Sequence, residues 1–168
     1  RNAYNQGMLA YTTISSKMQI AAEASIQNKL LEYDRRHGYR GPDYRRIAGT
    51  DEFIAAPIYG YPKNWLDTLD SLKTFGKQFP AIVTQVNEDS IEILTQSHAK
   101  LNIPWSGLEW ARPYINVDRR GARPKKANDI VGIGDVIRYE IMADNSLKLG
   151  QIPAIQGALV ALDPYDGA

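Results

Sequence analysis

The chain has 168 residues, of which 43% are hydrophobic and 23% are charged, and this composition is typical of a globular domain with its own core. The formal net charge of +1 gives no global attraction to nucleic acid or to an anionic membrane, and no apolar run is long enough to span a bilayer. Cysteine is absent, which excludes disulfides, thiolate catalysis and thiolate metal sites.

The first predicted elements are a strand and a long helix. Residues 8–14 are rich in β-branched and aromatic side chains toward their end, as strands are. Ser16 and Gln19 have the spacing of a capping box, which predicts a helix over residues 17–36 that ends at Gly38. Apolar side chains recur along this helix at helical spacing, at Met18, Ala22, Ile26, Leu30 and Tyr33.

The middle of the chain is predicted to be mainly β. Asn64 can cap a short helix that starts near Trp65. β-rich runs over residues 81–86 and 91–95, separated by a polar turn, predict a hairpin, and residues 136–142 and 147–152 predict a second one. Residues 116–128 are predicted to be a loop. The expected fold is mainly β with a minor α part, a small antiparallel barrel of about five strands that is OB-like in size.

The last stretch, GALVALDPYDGA at residues 157–168, predicts another strand over residues 158–162 and then a tight turn at Asp163. A strand followed by such a turn should begin a hairpin, so we expect the chain to be a piece of a longer protein. If residues 8–14 and 158–162 pair, the OB-like barrel is an insert on a strand–helix–strand root. The expected organisation is a linker root at 1–42, the insert at 43–153, and a return strand and turn at 154–168.

The residues that enzymes and metal sites require are not grouped in this sequence. His37 and His98 are far apart and are interpreted as solvated or helix-capping side chains. No serine lies in a Gly-x-Ser-x-Gly or Ser-x-x-Lys motif. Gly132 and Gly134 form only a Gly-x-Gly turn that precedes a predicted strand. We therefore predict no catalytic residue, no metal and no cofactor.

One stretch is strongly basic, and two interpretations remain open for it. It is either a solvated loop or a docking surface for an anionic partner. OB folds can bind single strands in basic, aromatic-lined grooves, but the near-neutral charge of the chain disfavours nucleic acid. The basic side chains are Arg112, Arg119, Arg120, Arg123, Lys125 and Lys126, and Trp105, Trp110 and Tyr114 lie near them in sequence.

An aromatic cluster is the second candidate for a docking site. Tyr59, Tyr61 and Trp65 lie beside two prolines. If they are exposed, they form a protein-binding patch, whereas if they are buried they form a lid on the barrel. Exposure would favour a protein partner, and convergence of the basic side chains on an aromatic groove would favour a polymer ligand.

Several segments resemble the class A penicillin-binding proteins. The segment from Tyr11 to Ala22 and the segment YDRRHGYRGP from Tyr33 resemble the linker that follows their glycosyltransferase domain. WARPY from Trp110 resembles part of their inserted domain. Gln151 and Pro153, followed by GALVALDP from Gly157, resemble the return into their transpeptidase domain.

This resemblance implies a non-catalytic OB-like insert of a bifunctional peptidoglycan synthase, located in the periplasm, with the parent anchored in the inner membrane. It also implies an outer-membrane lipoprotein activator as a possible partner, beside the parent's glycosyltransferase and transpeptidase domains. The family's catalytic motifs are absent, so this chain should not be an enzyme. The alternatives are a passive spacer between catalytic domains, or an OB-type module that binds glycan or nucleic acid.

Overall fold

The computed structural model describes residues 12–46, 53–55 and 65–165, and these form mostly antiparallel β-sheet with few helices. The predicted mainly β fold class is confirmed. The helices are α1 (Ser16–His37), α2 (Trp65–Ser71) and α3 (Trp105–Leu108). The strands are β1 (Tyr44–Arg46), β2 (Phe53–Ala55), β3 (Phe79–Val86), β4 (Ser90–Thr95), β5 (Lys100–Pro104), β6 (Tyr114–Asn116), β7 (Arg119–Arg120), β8 (Val136–Ile141) and β9 (Leu147–Gly150).

Five of these strands form the body of an OB-like unit. β3, β4 and β5 are an antiparallel meander, β8 pairs with the other edge of β3, and β9 pairs with β8. The resulting order is β9–β8–β3–β4–β5. β1 joins β8 where Tyr44 lies opposite Val136, and β2 pairs with β1. β8 is therefore central, and its side chains from Val136 to Glu140 are all buried.

α3 packs between β5 and β9, the two end strands of this body. Its Gly107 lies so close to both that an added Cβ would be 2.3 Å from the Leu147 carbonyl oxygen and 2.9 Å from Cγ2 of Ile103. Only glycine permits this approach. No hydrogen-bonded ladder joins β5 to β9 in the described ranges, so the sheet is compatible with the predicted barrel but is not closed by strand pairing.

The core lies between the sheet and α3, and it follows from the strand pattern. β4 alternates between half-buried and buried positions, and Ile91 and Ile93 point inward with no exposed surface. Each such isoleucine contributes about 1.5–3 kcal/mol through burial. A second, smaller cluster forms where Leu69 of α2 and Leu72, which directly follows α2, pack with Ile82 and Val136.

The long helix is confirmed, with each end within one residue of the predicted 17–36, but its predicted capping box is not formed. The helix begins at Ser16, with Ser15 as the N-cap residue, and no side chain caps it. The backbone N–H of Gln19 donates to the Ser15 carbonyl at 2.9 Å, and the Gln19 amide donates to Glu23 at 2.9 Å. The capping box was therefore a wrong prediction, because Gln19 pairs with the next helical turn. Met18 is 65% exposed, so the first turns of the predicted apolar stripe are not packed on the described residues.

The described part of the predicted root contains no strand. Residues 8–11 lie outside the described residues, and residues 12–14 have no strand structure. Residues 158–162 were predicted to be a buried strand and are instead exposed, with Val160 81% exposed. A strand needs a ladder partner for its N–H and C=O groups, and no other described segment pairs with this one. The turn after it is present, because the Tyr165 N–H donates to Asp163 Oδ1 at 2.8 Å.

The stretch over residues 116–128 has more structure than the loop that was predicted. β6 and β7 form a two-stranded hairpin that pairs Tyr114 with Arg120 and Asn116 with Arg119. A 3-10 turn follows at Ala127–Asp129. Asp129 accepts hydrogen bonds from the backbone N–H groups of Lys125 and Lys126, at 2.8 and 3.2 Å, and this fixes the start of the turn.

Candidate functional site

The C-terminal end of α1 meets the rest of the fold at a sharp change of direction. We call the OB-like unit formed by strands β1–β9 with α2 and α3 the β-unit. Gly38 ends the helix with φ +108°, a value that favours glycine, and an added Cβ would lie 2.7 Å from the Arg112 carbonyl oxygen. The next residue, Tyr39, donates its N–H to that same oxygen at 2.7 Å, and its carbonyl accepts from the Tyr114 N–H at 2.9 Å. These bonds fix α1 directly beside the segment that follows α3.

A buried carboxylate then joins both connections of the β-unit to α1. Asp34 is 3% exposed, and Arg40 donates to its two oxygens at 2.6 and 2.9 Å. The Gln151 amide also donates to Asp34, and the Ala154 N–H donates to Oδ1 at 3.2 Å. Arg40 makes a further hydrogen bond to the Ile152 carbonyl at 2.6 Å. We call Asp34, Arg40, Gln151, Ile152 and Ala154 the Asp34 joint.

The Asp34 joint brings the entering and leaving segments side by side. The Arg40 N–H donates to Gln151 Oε1 at 3.0 Å, and the Gln151 amide donates to the Gly38 carbonyl at 2.9 Å. The carboxylate is neutralised by a bidentate guanidinium and by further donors, which is how a buried charge is stabilised. The chain therefore enters and leaves the β-unit at one point on one helix.

A second buried carboxylate strengthens the contact between α1 and the sheet. Arg35 forms an ion pair with Glu140 of β8, and the Gln78 amide donates to the same carboxylate oxygen. Gln78 itself packs against Gly150, where any Cβ would overlap it. α1 thus contributes two adjacent residues, Asp34 and Arg35, to two separate buried ion pairs.

A groove lies next to this contact, between the end of α1 and the segment after α3. Its volume is about 470 Å³, within the range of ligand sites. Its floor and walls carry six cationic side chains, one indole and two carboxylates. We call these residues the arginine groove: Glu32, Arg35, Arg36, Glu109, Trp110, Arg112, Arg120, Arg123 and Lys148.

The cations of the arginine groove differ in how they are held. Arg35 is paired with Glu140, and Arg112 donates through Nε to the Gly121 carbonyl at 2.9 Å. The Arg36 guanidinium lies 5.9 Å from the Tyr33 ring centre. Two further cations, Arg120 and Arg123, are exposed, and no described side chain neutralises them.

Lys148 shows how crowded this positive charge is. Burial lowers the pKa of its ammonium group, and the neighbouring Arg35 lowers this pKa further. Glu140 and Glu109 oppose the shift with a smaller effect. With six cationic side chains and two carboxylates, the groove contains more positive charge than its own carboxylates balance.

Trp110 is fixed as a wall of the groove. Its indole N–H donates to the Leu149 carbonyl of β9 at 3.0 Å. The Tyr39 ring meets it edge-on with centroids 5.8 Å apart and an angle of 80°. The Arg35 guanidinium lies over the indole, 5.8 Å from its centroid. These three contacts fix the orientation of the indole ring.

The predicted docking residues fall into three groups. Arg120 and Arg123 line the arginine groove, whereas Arg119, Lys125 and Lys126 are exposed outside it. The five predicted cations therefore do not converge on one aromatic groove. Trp65 is half-buried against the smaller core cluster around Leu69 and Ile82, while Tyr59 and Tyr61 lie outside the described residues.

Sequence reasoning missed part of this site. The sequence analysis did not identify Arg35, Arg36 or Lys148 as candidate site residues. The sequence does carry one indication of this site. Arg35 and Arg36 lie just before Gly38, where the helix is predicted to end, and Arg112 begins the basic stretch. Their approach in space depends on the path of the chain through Gly38, which sequence spacing does not give.

Two absences hold for residues 12–46, 53–55 and 65–165, the part of the chain that the structure describes. No group of three or more His, Cys, Asp or Glu side chains there could hold a metal ion. No helix in these ranges combines the length and the apolar character needed to cross a bilayer.

Comparison with known proteins gives consistent matches. A family model described as penicillin-binding protein OB-like domain matches residues 39–155. The chain is 37% identical to penicillin-binding protein 1A of Pseudomonas aeruginosa over 166 residues, which cover 99% of this chain and 19% of that protein. It is 33% identical to penicillin-binding protein 1A of Escherichia coli over 168 residues, with 99% and 19% covered.

A solved structure agrees with these relatives. The crystal structure of penicillin-binding protein 1A from Haemophilus influenzae is similar with a TM-score of 0.61 and 26% identity, over 85% of this chain and 18% of that chain. The chain spans about a fifth of the length of the curated relatives it matches.

Proposed function

Because this chain belongs to the family of penicillin-binding protein OB-like domains, we propose that it is a non-catalytic docking and regulatory domain of a bifunctional peptidoglycan synthase. In that parent it lies between a glycosyltransferase and a transpeptidase domain. The parent is anchored in the inner membrane, and this domain is in the periplasm, where an outer-membrane lipoprotein activator binds it.

The observation that carries this proposal is the Asp34 joint. Both connections of the β-unit meet at one buried carboxylate of α1. A change in the orientation of the unit is therefore transmitted to the helix through this ion pair and these hydrogen bonds, and not through flexible linkers. A partner could regulate the parent by binding one orientation of the unit more tightly than another. The joint would transmit that preference to α1.

The proposed docking residues are those predicted from the sequence: Tyr59, Tyr61, Trp65, Arg119, Arg120, Arg123, Lys125 and Lys126. The five cations are exposed, which makes them available to a partner. Half-burial of Trp65 leaves part of its ring accessible beside the core.

The test begins with this chain as bait for a detergent extract of outer membranes. Two variants accompany it, Tyr59→Ala/Trp65→Ala and one in which the five cations are replaced by glutamate. A captured lipoprotein is identified, purified and added to the full-length parent, and the rate of glycan polymerisation is measured. We expect a several-fold increase that disappears when residues 43–153 of the parent are replaced by a short linker.

Other outcomes point to other functions. Equal parent activity with and without residues 43–153, in the presence of the captured lipoprotein, contradicts regulation. Capture of no lipoprotein by a folded chain favours the passive spacer. Retention of soluble glycan or oligonucleotide by the chain, without any protein, would favour an OB-type polymer-binding module.

A further inference from the structure

We propose that the arginine groove binds an acidic polypeptide segment of the partner, and that this segment bridges α1 and the β-unit. This inference rests on the proposed docking function and adds to it a site and a partner chemistry. It also places the site largely on residues outside the docking set, since only Arg120 and Arg123 of the nine lining residues belong to that set.

The first argument is charge complementarity confined to one place. Six cationic side chains face the arginine groove against the two carboxylates of Glu32 and Glu109, although the whole chain has a net charge of only +1. Neither Arg120 nor Arg123 forms an ion pair with a residue in the part of the chain that the structure describes. An anionic ligand would supply the missing counter-charges, and the field would speed its approach.

The second argument is the kind of cation present. Five of the six are arginines, whose planar guanidinium groups bind carboxylates and phosphates through paired hydrogen bonds. The nearby Lys148 has its pKa lowered by burial and by Arg35, so a carboxylate placed there would relieve an existing repulsion. The groove is thus suited to several carboxylates and not to a single ion.

The third argument separates a polypeptide from a nucleic acid. Sites that bind single-stranded nucleic acid present aromatic faces on which bases stack. Trp110 is the one aromatic side chain that lines this groove in the described structure, and it already contacts Arg35 over its ring and Tyr39 edge-on. Five guanidinium groups beside a single aromatic ring favour carboxylate side chains along an extended peptide over a series of stacked bases.

The bridge follows from which elements form the two walls. Arg35 and Arg36 come from α1, whereas Arg112, Arg120 and Arg123 follow α3 in the β-unit. A segment of a few extended residues, at about 3.3 Å per residue, can reach both walls. Its binding would add contacts between the helix and the unit right beside the Asp34 joint.

The experiment measures binding of a fluorescein-labelled hexa-glutamate peptide to the intact 168-residue chain by fluorescence anisotropy. The test variant is Arg120→Glu/Arg123→Glu, because both side chains line the groove and neither has a described partner. The matched control is Arg119→Glu/Lys125→Glu, which changes the net charge equally in the same exposed stretch but outside the groove. Circular dichroism verifies that both variants fold.

We expect the groove variant to weaken peptide binding at least about tenfold, and the control variant less than about threefold. Added salt should weaken peptide binding by the unsubstituted 168-residue chain. Equal weakening in both variants would overturn the groove as the site. Absence of measurable peptide binding at low salt would overturn it as well. A single-stranded oligonucleotide that binds more tightly than the peptide, with the same dependence on Arg120 and Arg123, would overturn the polypeptide assignment.

Failure of this inference can be told apart from failure of the docking function. If a captured lipoprotein activates the parent and is still bound by Arg120→Glu/Arg123→Glu, docking holds and the groove proposal is wrong. If the peptide binds in the groove but no outer-membrane protein activates the parent, the groove proposal holds and the docking function is wrong.

Discussion

Two neighbouring regions at the end of α1 differ in whether their charged side chains are paired. In the Asp34 joint, the buried carboxylate is matched by Arg40, Gln151 and a backbone N–H. In the arginine groove, Arg120 and Arg123 are exposed without a described counter-charge. Since an unpaired buried charge is costly and an exposed one is not, the joint must be satisfied for folding, whereas the groove can keep its charge for a ligand.

Arg35 belongs to both regions, and this makes the comparison testable. Its guanidinium pairs with buried Glu140 and also lines the groove above Trp110. An acidic ligand would therefore compete with Glu140 for the same cation. Substitutions in the Asp34 joint should mainly change the free energy of unfolding, and substitutions in the arginine groove should mainly change the affinity for an acidic peptide.

The largest effect is expected from Asp34→Asn in the joint. This variant keeps the shape of the side chain but leaves Arg40 without its charge partner. Removing one partner of a buried ion pair typically costs about 3–5 kcal/mol, and the partial exposure of Arg40 reduces this to about 2–4 kcal/mol. Urea denaturation followed by tryptophan fluorescence measures the change in the free energy of unfolding.

The matched control for that variant is Glu32→Gln on the same helix. Glu32 forms an exposed ion pair with Lys29, so its loss should leave the free energy of unfolding nearly unchanged. Equal effects of the two variants would mean that the joint does not hold α1 to the β-unit.

A smaller stability loss with a gain in binding is expected from Glu140→Gln. The variant removes the charge that holds Arg35 and weakens the acceptor for Gln78, which should cost about 2 kcal/mol. The released Arg35 should then strengthen binding of the hexa-glutamate peptide several-fold. Denaturation and anisotropy on the same preparation measure both quantities.

Glu88→Gln controls for the change in net charge in that experiment. Glu88 is exposed in the turn between β3 and β4 and does not line the groove. It should change neither stability nor peptide binding appreciably. If Glu140→Gln binds the peptide no better than Glu88→Gln, Arg35 does not connect the two regions.

The sequence predicts much of this fold because local patterns determine it. β-rich runs and a polar turn identify the β3–β4 hairpin, and Gly38 identifies the end of α1. The resemblance to class A penicillin-binding proteins, which rests on short motifs at several points of the chain, is confirmed by the family match.

Apart from the capping box, where Gln19 pairs with nearby Glu23, the predictions that failed depend on partners distant in sequence. An apolar run such as residues 158–162 becomes a strand only beside another strand, and its own residues do not reveal whether one is present. Gln151 appears as a family motif residue, but its hydrogen bonds to Asp34 and Gly38 span more than a hundred residues. The arginine groove is equally non-local, since Arg35 and Arg123 meet only after the chain folds.

The third prediction concerns Tyr39, which lies between the two regions. Burial raises the pKa of its phenol well above the usual value of 10.0, Asp43 and Asp135 raise this pKa further, and Arg45 opposes them. The folded state therefore keeps a proton that the unfolded chain releases above about pH 10. The contribution of Tyr39 to the free energy of unfolding is fully present below pH 10. It falls by about 1.4 kcal/mol per pH unit as the pH rises above 10.

Tyr39→Phe should remove that loss. Its hydroxyl has no hydrogen-bond partner among the described residues, so the variant should be as stable as the parent chain at pH 7, or slightly more stable. Denaturation between pH 9 and pH 11 compares the two chains, in which Tyr139 and Lys148 titrate alike. Tyr165→Phe is the matched control, because that ring is 96% exposed. Parallel stability curves for Tyr39→Phe and the parent chain would contradict the prediction.

The smallest effect on stability is expected where the effect on binding is largest. Arg120→Gln/Arg123→Gln removes two groove cations that have no described partner, so the melting temperature should stay within about 2 °C of the parent value. A slight increase is the favoured direction, because the change removes two of the six cations that line the groove and so relieves repulsion among the others. Differential scanning calorimetry at low and high salt measures this relief, which salt should screen. A marked loss of stability would show that these arginines hold the fold as Asp34 does, and the contrast between joint and groove would then fail.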